Sequence, residues 1–378
     1  MQRRFLLPFT SALAMMTCNT SAETLVYFGT YTRDGASKGI YRATLDETTG
    51  QVSTPVLAAE VSNPSFLAFH PKSTFAFSVS EISDHQGKKT GAVSSFAIQP
   101  DGSLTLINQQ PSGGAGPCYV SVDPSGGTVL VANYGGGSCA SYPIQQNGAL
   151  GPMSSFHQHA GSSVDPKRQT GPHAHSIQAG PDGLRVYVPD LGLDRIQIYR
   201  LDSRAGTLTP NDPPFASTPA GGGPRHLAFH PNHRFAYANL EMASKVVAFS
   251  LNSDSGSLSI LEEHSTLPSG FNGINTTAET LVHPSGRFLY VSNRGHDSIA
   301  AFAINPESGR LRFLECESSG GEIPRNFGID PSGRFLLAAH QKTNNVVTLA
   351  IGPQTGLLSS TGHQLSLPSP VCVRFLRR

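Results

Sequence analysis

Neutral imidazoles and carboxylates accept protons near neutral pH, and guanidinium groups hold anions or steady a developing oxyanion. This sequence sets such groups at two fixed offsets from a recurring proline. Six residues before the proline stand Ser65, Cys118, His175, Arg225, Ala278 and Arg325. Ten residues after it stand Glu81, Tyr134, Leu191, Glu241, Arg294 and Gln341. The residues between are mostly apolar or small, so the charged groups mark the ends of packed strands. A histidine, three arginines and two glutamates, with no convincing nucleophile, point to water or proton chemistry on an anionic substrate. Ester or lactone hydrolysis suits this set better than hydride transfer. The plain alternative for any one of them is a solvated loop position.

Competing motifs are weaker. His157-x-His159 and His173-x-His175 put imidazole pairs on one face of an extended strand, but no adjacent carboxylate or cysteine completes a ligand set. No metal and no cofactor are therefore expected. Gly135-Gly-Gly137 lacks the register of a dinucleotide-binding loop, and no G-x-S-x-G elbow occurs. His70, His230 and His283 recur beside the turn proline, which marks them as parts of the repeat. Gly221-Gly-Gly223 is placed to let the backbone turn before Pro224-Arg225.

The elements that must position these groups repeat as well. The phrase runs Phe66-Leu-Ala-Phe-His-Pro71, Tyr119-Val-Ser-Val-Asp-Pro124, Ser176-Ile-Gln-Ala-Gly-Pro181, Leu227-Ala-Phe-His-Pro231, Thr280-Leu-Val-His-Pro284 and Phe327-Gly-Ile-Asp-Pro331, with steps of 53, 57, 50, 53 and 47 residues. A second phrase, a strand ending in a glycine turn, centres on Gly50, Gly102, Gly148, Gly206, Gly256, Gly309 and Gly356. Short β-branched and aromatic runs in units of about fifty residues predict four-stranded propeller blades. Leu25-Val-Tyr-Phe28 and the tail Val371-Cys-Val-Arg-Phe-Leu376 would pair to complete a seventh blade. The expected fold is thus all-β: a seven-bladed propeller spanning residues 23–378, closed by its C-terminal strand. Within each blade the first phrase is a hairpin, so both offsets fall at the same end and converge on one mouth of the ring.

Composition bounds the rest. Lys+Arg 27 against Asp+Glu 26 leaves a net charge of +1, with no basic block, which argues against a nucleic-acid partner. No apolar run reaches the roughly 18 residues of a membrane span. Arg3 and Arg4, the mainly apolar stretch 5–16 and Thr20-Ser21-Ala22 have the order of a secretory signal peptide cleaved after Ala22, which implies a periplasmic or secreted protein. Cys18 lacks the small-residue context of a lipid attachment site. Cys118, Cys139, Cys316 and Cys372 allow three pairings and the sequence selects none. Nor does it specify an oligomeric state.

Several segments together carry a family resemblance. Phe28-Gly-Thr-Tyr-Thr32, Gly39-Ile-Tyr41, Pro224-Arg225-His226, Ser292-Asn-Arg294-Gly-His-Asp-Ser298 and Pro324-Arg325-Asn-Phe327 resemble the seven-bladed propeller lactonase family, which includes 6-phosphogluconolactonases of the cycloisomerase type and fungal carboxymuconate lactonizing enzymes. The resemblance runs from about Leu25 to the C-terminus. It implies a small lactone substrate, with catalysis by His175, Glu241, Arg225 and Arg294, either Glu241 or His175 serving as the base. Asp190, Arg325 and Asn326 also lie in family motifs and, with Glu81 and Gln341, are expected substrate contacts. Two other readings use the same groups: an exported propeller that binds without turnover, and a cycloisomerase of muconate-type dicarboxylates. The export signal departs from a cytoplasmic phosphogluconolactonase.

Overall fold

The structure is a computed structural model that describes residues 24–377. The proposed leader, residues 1–22, lies outside the described residues. Among those described, the chain forms seven antiparallel sheets of four strands each. Blades 1 to 6 are built from consecutive strands, with innermost strands Leu67–Phe69, Pro117–Val122, Gln178–Ala179, Pro224–Phe229, Thr276–Val282 and Pro324–Ile329 in that order. In blade 7 the C-terminal strand Pro370–Arg377 is innermost and pairs antiparallel with Thr24–Thr30. The ring therefore closes as the repeat predicts. The fold is the seven-bladed propeller.

Burial follows the radial order. The second strands are mostly buried, Thr128–Asn133 and Phe335–His340 along their whole length, because neighbouring blades cover both faces. Outer strands such as Leu258–Ser265 carry exposed residues among buried ones. Branched and aromatic side chains suit such a pleated, two-sided core.

Blade-to-blade contacts explain the two sequence phrases. The turn histidines reach the next blade's turn: His70 Nε2 lies 3.2 Å from the Gly126 carbonyl, and His230 and His283 lie 2.8 Å from those of Gly286 and Gly333. Tyr27, Tyr187, Tyr237 and Tyr290 likewise donate their hydroxyls to the carbonyls of Gly102, Gly256, Gly309 and Gly356. The second-phrase glycines are required. Gly309 and Gly356 have φ of 70° and 73°, and a Cβ at either would stand 2.3 Å from the ring of Phe235 or Phe288. All four cysteines in the described residues are free thiols.

Two backbone devices aim side chains at the ring axis. A left-handed residue followed by proline opens five innermost strands: Asn63, Gly116, Gly223, Ile323 and Ser369, with φ of 44°, 58°, 67°, 59° and 43°. Just beyond, the ladder to the second strand skips, between Pro117 and Tyr119, Pro224 and Leu227, Thr277 and Thr280, and Pro324 and Asn326. A bulge turns its extra residue out of the ladder. That residue is the one six before the turn proline. Accordingly Ser65, Cys118, Arg225, Arg325 and Val371 surround one small central space. Val371 is the seventh member of the series.

Candidate active site

Above that space opens a cavity of about 320 Å³. Its walls include His175 and Arg325 from the bulge positions, and Glu81, Tyr134, Glu241, Arg294 and Gln341 from the ends of the second strands. Tyr31 follows Thr24–Thr30 as those residues follow their own second strands, and it lines the cavity too. The offsets chosen from the sequence thus meet at one mouth.

Glu241 is the electrostatic centre. Arg168 Nη2 donates to its Oε1 at 2.8 Å, while Arg225 Nε and Arg294 Nη2 approach its Oε2 at 3.0 and 3.1 Å. Burial alone would raise this carboxyl, but Arg294, Arg225 and Arg168 outweigh it and hold the pKa at about 2. His175 Nε2 lies 3.9 Å from the same Oε2. Its backbone N–H donates to the Pro189 carbonyl, and the Cys118 sulfur sits 3.6 Å from Nδ1. Burial, then Arg225, holds the imidazole well below its ordinary pKa, so it is neutral at pH 7. Burial pushes the Cys118 thiol up to about 12, which keeps it protonated.

The arginines divide into two kinds. Arg225 is 2% exposed and lies beneath the cavity rather than in its wall; beyond Glu241 it serves the Ala278 carbonyl and His226 Nε2, and burial lowers its pKa to about 10. The family resemblance places Arg225 among the catalytic groups. Its place is under Glu241, with Nε and Nη1 committed to protein acceptors. Arg325 is the opposite case: it lies 5.5 Å over the Tyr31 ring, and among the described residues its guanidinium has no hydrogen bond or ion pair. An unpaired cation in a cavity wall is a place for a ligand anion.

Two expected substrate contacts are not in the wall. Asp190 is fully buried: Oδ2 pairs with His159 Nδ1 at 2.6 Å, and Oδ1 accepts the backbone N–H groups of His173 and Gly192. Its work is to fix the chain entering His175. Asn326 sits one residue past the bulge, bonded to Glu279 and to the backbone N–H of Val373, so its amide ties blade 6 to blades 5 and 7. Glu81 lies across the cavity, accepting from the Tyr31 hydroxyl and from Arg33 at 3.2 Å.

Arg168, Arg33 and Tyr31 also line the cavity, and none of them lies at either offset from a turn proline. Arg168 comes from the long connection 159–177 between blades 2 and 3, outside any repeat, and also donates to the Tyr134 hydroxyl. Tyr31 had a signal, since it lies in the segment 28–32 already singled out. The paired histidines part company: His157 Nε2 meets the Leu208 carbonyl, His159 meets Asp190, and His173 stacks on Tyr134.

The family described as "Lactonase, 7-bladed beta-propeller" matches residues 25–375. The chain belongs to this lactonase family. It is 38% identical to the protein named 6-phosphogluconolactonase of Bacillus subtilis over 93% of this chain and 98% of that one. The solved periplasmic gluconolactonase of Pseudomonas aeruginosa is 37% identical, with a TM-score of 0.88 over 94% of this chain and 99% of that one. A 6-phosphogluconolactonase of Formosa agariphila is 31% identical over 81% of this chain and 86% of its own length.

The buried histidines of this lactonase-family chain make its stability pH-dependent. His175 is held well below its ordinary pKa by burial and Arg225, and burial lowers His226 and His340 to about 4. Unfolded, each takes a proton near 6.5. From about 6.5 down to about 4 the unfolded chain therefore binds more protons, and stability falls with pH by up to about 1.4 kcal/mol per histidine per unit. Glu241, at about 2 against an ordinary 4.5, continues the same trend below pH 4.5. Calorimetry should show the melting temperature dropping steadily from pH 7 to pH 4. An unchanged value between pH 7 and pH 5 would show that these imidazoles take up protons in the fold as readily as in the unfolded chain.

Proposed function

We propose that the protein hydrolyses a sugar lactone bearing or generating an anion, with His175 as the general base. Water between His175 and the lactone attacks the carbonyl carbon and gives its proton to Nε2. Glu241, 3.9 Å away, steadies the imidazolium that forms. Arg294 and Arg325 receive the oxyanion. When the ring C–O bond breaks, His175 returns the proton to the departing ring oxygen, leaving a hydroxy acid. Glu241 itself, held at about 2 by its three arginines, is too weak a base to take the proton first.

The observation that carries this reading is the pairing, in one cavity, of a neutral imidazole with an arginine whose guanidinium has no hydrogen bond or ion pair among the described residues. Charge supports it. Arg33, Arg168, Arg294 and Arg325 line the cavity against Glu81 and Glu241, an excess of two positive charges in a chain whose net charge is +1. The names of the relatives point to gluconolactone or its 6-phosphate. Residues 1–22 act as an export leader in this reading and 23–378 as the working domain, in line with the periplasmic relative.

Hydrolysis of glucono-1,5-lactone and its 6-phosphate, followed in a pH-stat above the uncatalysed rate, tests the assignment. Arg294→Ala should lower kcat/KM by about 100-fold, as expected when one donor to a developing oxyanion is lost. Parent-like turnover by a folded Arg294→Ala variant would remove this arginine from the reaction. Failure of the parent on every lactone, with ligand still bound, would leave a binding module.

A further inference from the structure

The anion cavity does not end at Arg294, Arg325 and Gln341. These three residues are shared with a second cleft of about 600 Å³, nearly twice the first in volume. A six-membered lactone bound at His175 leaves this space unfilled, so its lining bears on substrate size.

Ile323 and Ile274 supply the apolar part of that lining. Ile323 has φ of 59°, a conformation β-branched residues rarely adopt. The corresponding residues before the proline in blades 1, 2, 4 and 7 are Asn63, Gly116, Gly223 and Ser369, which tolerate it more easily. Hydrogen bonds pin Ile323 in place, its N–H to Asp297 Oδ1 at 2.8 Å and its carbonyl to the Gln341 N–H at 3.0 Å. An isoleucine here gives the cleft a wall that glycine would not. Ile274 is 94% exposed, so core packing does not account for its side chain.

The polar part is equally telling. Among the described residues, the Gln341 amide and the Thr276 hydroxyl have no hydrogen-bond partner. Apart from the arginines, the charged groups are already engaged: Lys342 pairs with Glu322, and Asp297 Oδ1 accepts two backbone N–H groups, from Gly295 and Ile323. An anionic substituent gains nothing there beyond the arginines already facing the first cavity. An alkyl chain would leave the amide and hydroxyl unpaired. A pyranose ring has an apolar C–H face for the isoleucines and a rim of hydroxyls for Gln341 and Thr276.

We propose that this cleft is a second sugar subsite, and that the protein takes an aldonolactone carrying a neutral glycosyl unit. The proposal rests on the lactonase reading and narrows its substrate.

The test compares glucono-1,5-lactone with lactobiono-1,5-lactone, the same ring bearing a galactosyl unit, on the purified protein. KM for the disaccharide lactone should be at least about fivefold lower, a gain within reach of a few hydrogen bonds and one apolar contact. Ile323→Gly and Ile274→Ala should erase that advantage and leave gluconolactone kcat/KM within about twofold, since neither touches the reacting groups. The Ile323→Gly melting temperature should not fall below the parent's, because glycine fits the left-handed backbone. Equal KM values for the two lactones, or variants that weaken both alike, would overturn the subsite. If neither of these lactones nor glucono-1,5-lactone 6-phosphate is hydrolysed, the lactonase reading fails separately. Calorimetric binding of lactobionate against gluconate then decides the subsite: tighter lactobionate, weakened by Ile323→Gly, supports it, and equal affinities overturn it.

Discussion

Glu241→Gln is expected to lower kcat/KM by on the order of 1,000-fold, within the range for losing a group that supports proton transfer. Glutamine keeps the shape and loses the charge. Arg168, Arg225 and Arg294 now converge at 2.8 to 3.1 Å on a neutral amide, and the imidazolium of His175 forms without its counter-ion. The same change should destabilise the fold. Arg225 is 2% exposed, and removing one partner of a buried ion pair typically costs about 3–5 kcal/mol. Arg168 contributes less, because its side chain is 41% exposed and can turn to water. Denaturant midpoints and pH-stat kinetics measure the two effects separately. Adding Arg225→Met to Glu241→Gln should recover much of the stability and none of the activity. A Glu241→Gln enzyme within tenfold of the parent would take the carboxylate out of the reaction.

The regular part of this site was legible because the fold is periodic. Any residue at a fixed offset from the turn proline falls at the same end of its blade, so His175, Glu241, Arg294, Arg325, Glu81 and Gln341 could be gathered without coordinates. The same logic failed at the seam. Blade 7 joins the two ends of the chain, Pro370–Arg377 against Thr24–Thr30, so no hairpin turn and no turn proline marks it. Tyr31 and Val371 hold the two offsets there without the signal. Arg168 failed for another reason: it arrives on a connection outside the repeat, and only the geometry of residues 159–177 brings it to Glu241. Offset also does not fix depth. Arg225 and Arg325 hold the same register, yet the first turns under Glu241 and the second into the cavity. Asp190 and Asn326 stand one residue away from the informative positions, and in an extended strand that step points the side chain elsewhere.

His175→Asn carries the second large effect, a loss of about 100- to 10,000-fold in kcat/KM, the usual span for a general base. The pH profile distinguishes that role from a merely structural one. In the parent, burial and Arg225 hold the imidazole well below 6.5, so the acid limb of kcat/KM should begin well under that value. Arg225→Gln removes the second of those two causes and should move the limb upward, towards the ordinary imidazole range. In His175→Asn the limb should vanish, leaving residual turnover that rises with hydroxide concentration, because hydroxide then replaces the water that the imidazole would have activated. A histidine that only packed against Cys118 and Tyr134 would lower the rate without moving or abolishing the limb. Its loss would then appear as a fall in stability with an unchanged profile, and the proton would have to rest elsewhere. Glu241 could take it only if a bound anion drew Arg168 and Arg294 off the carboxylate and let its pKa rise from about 2.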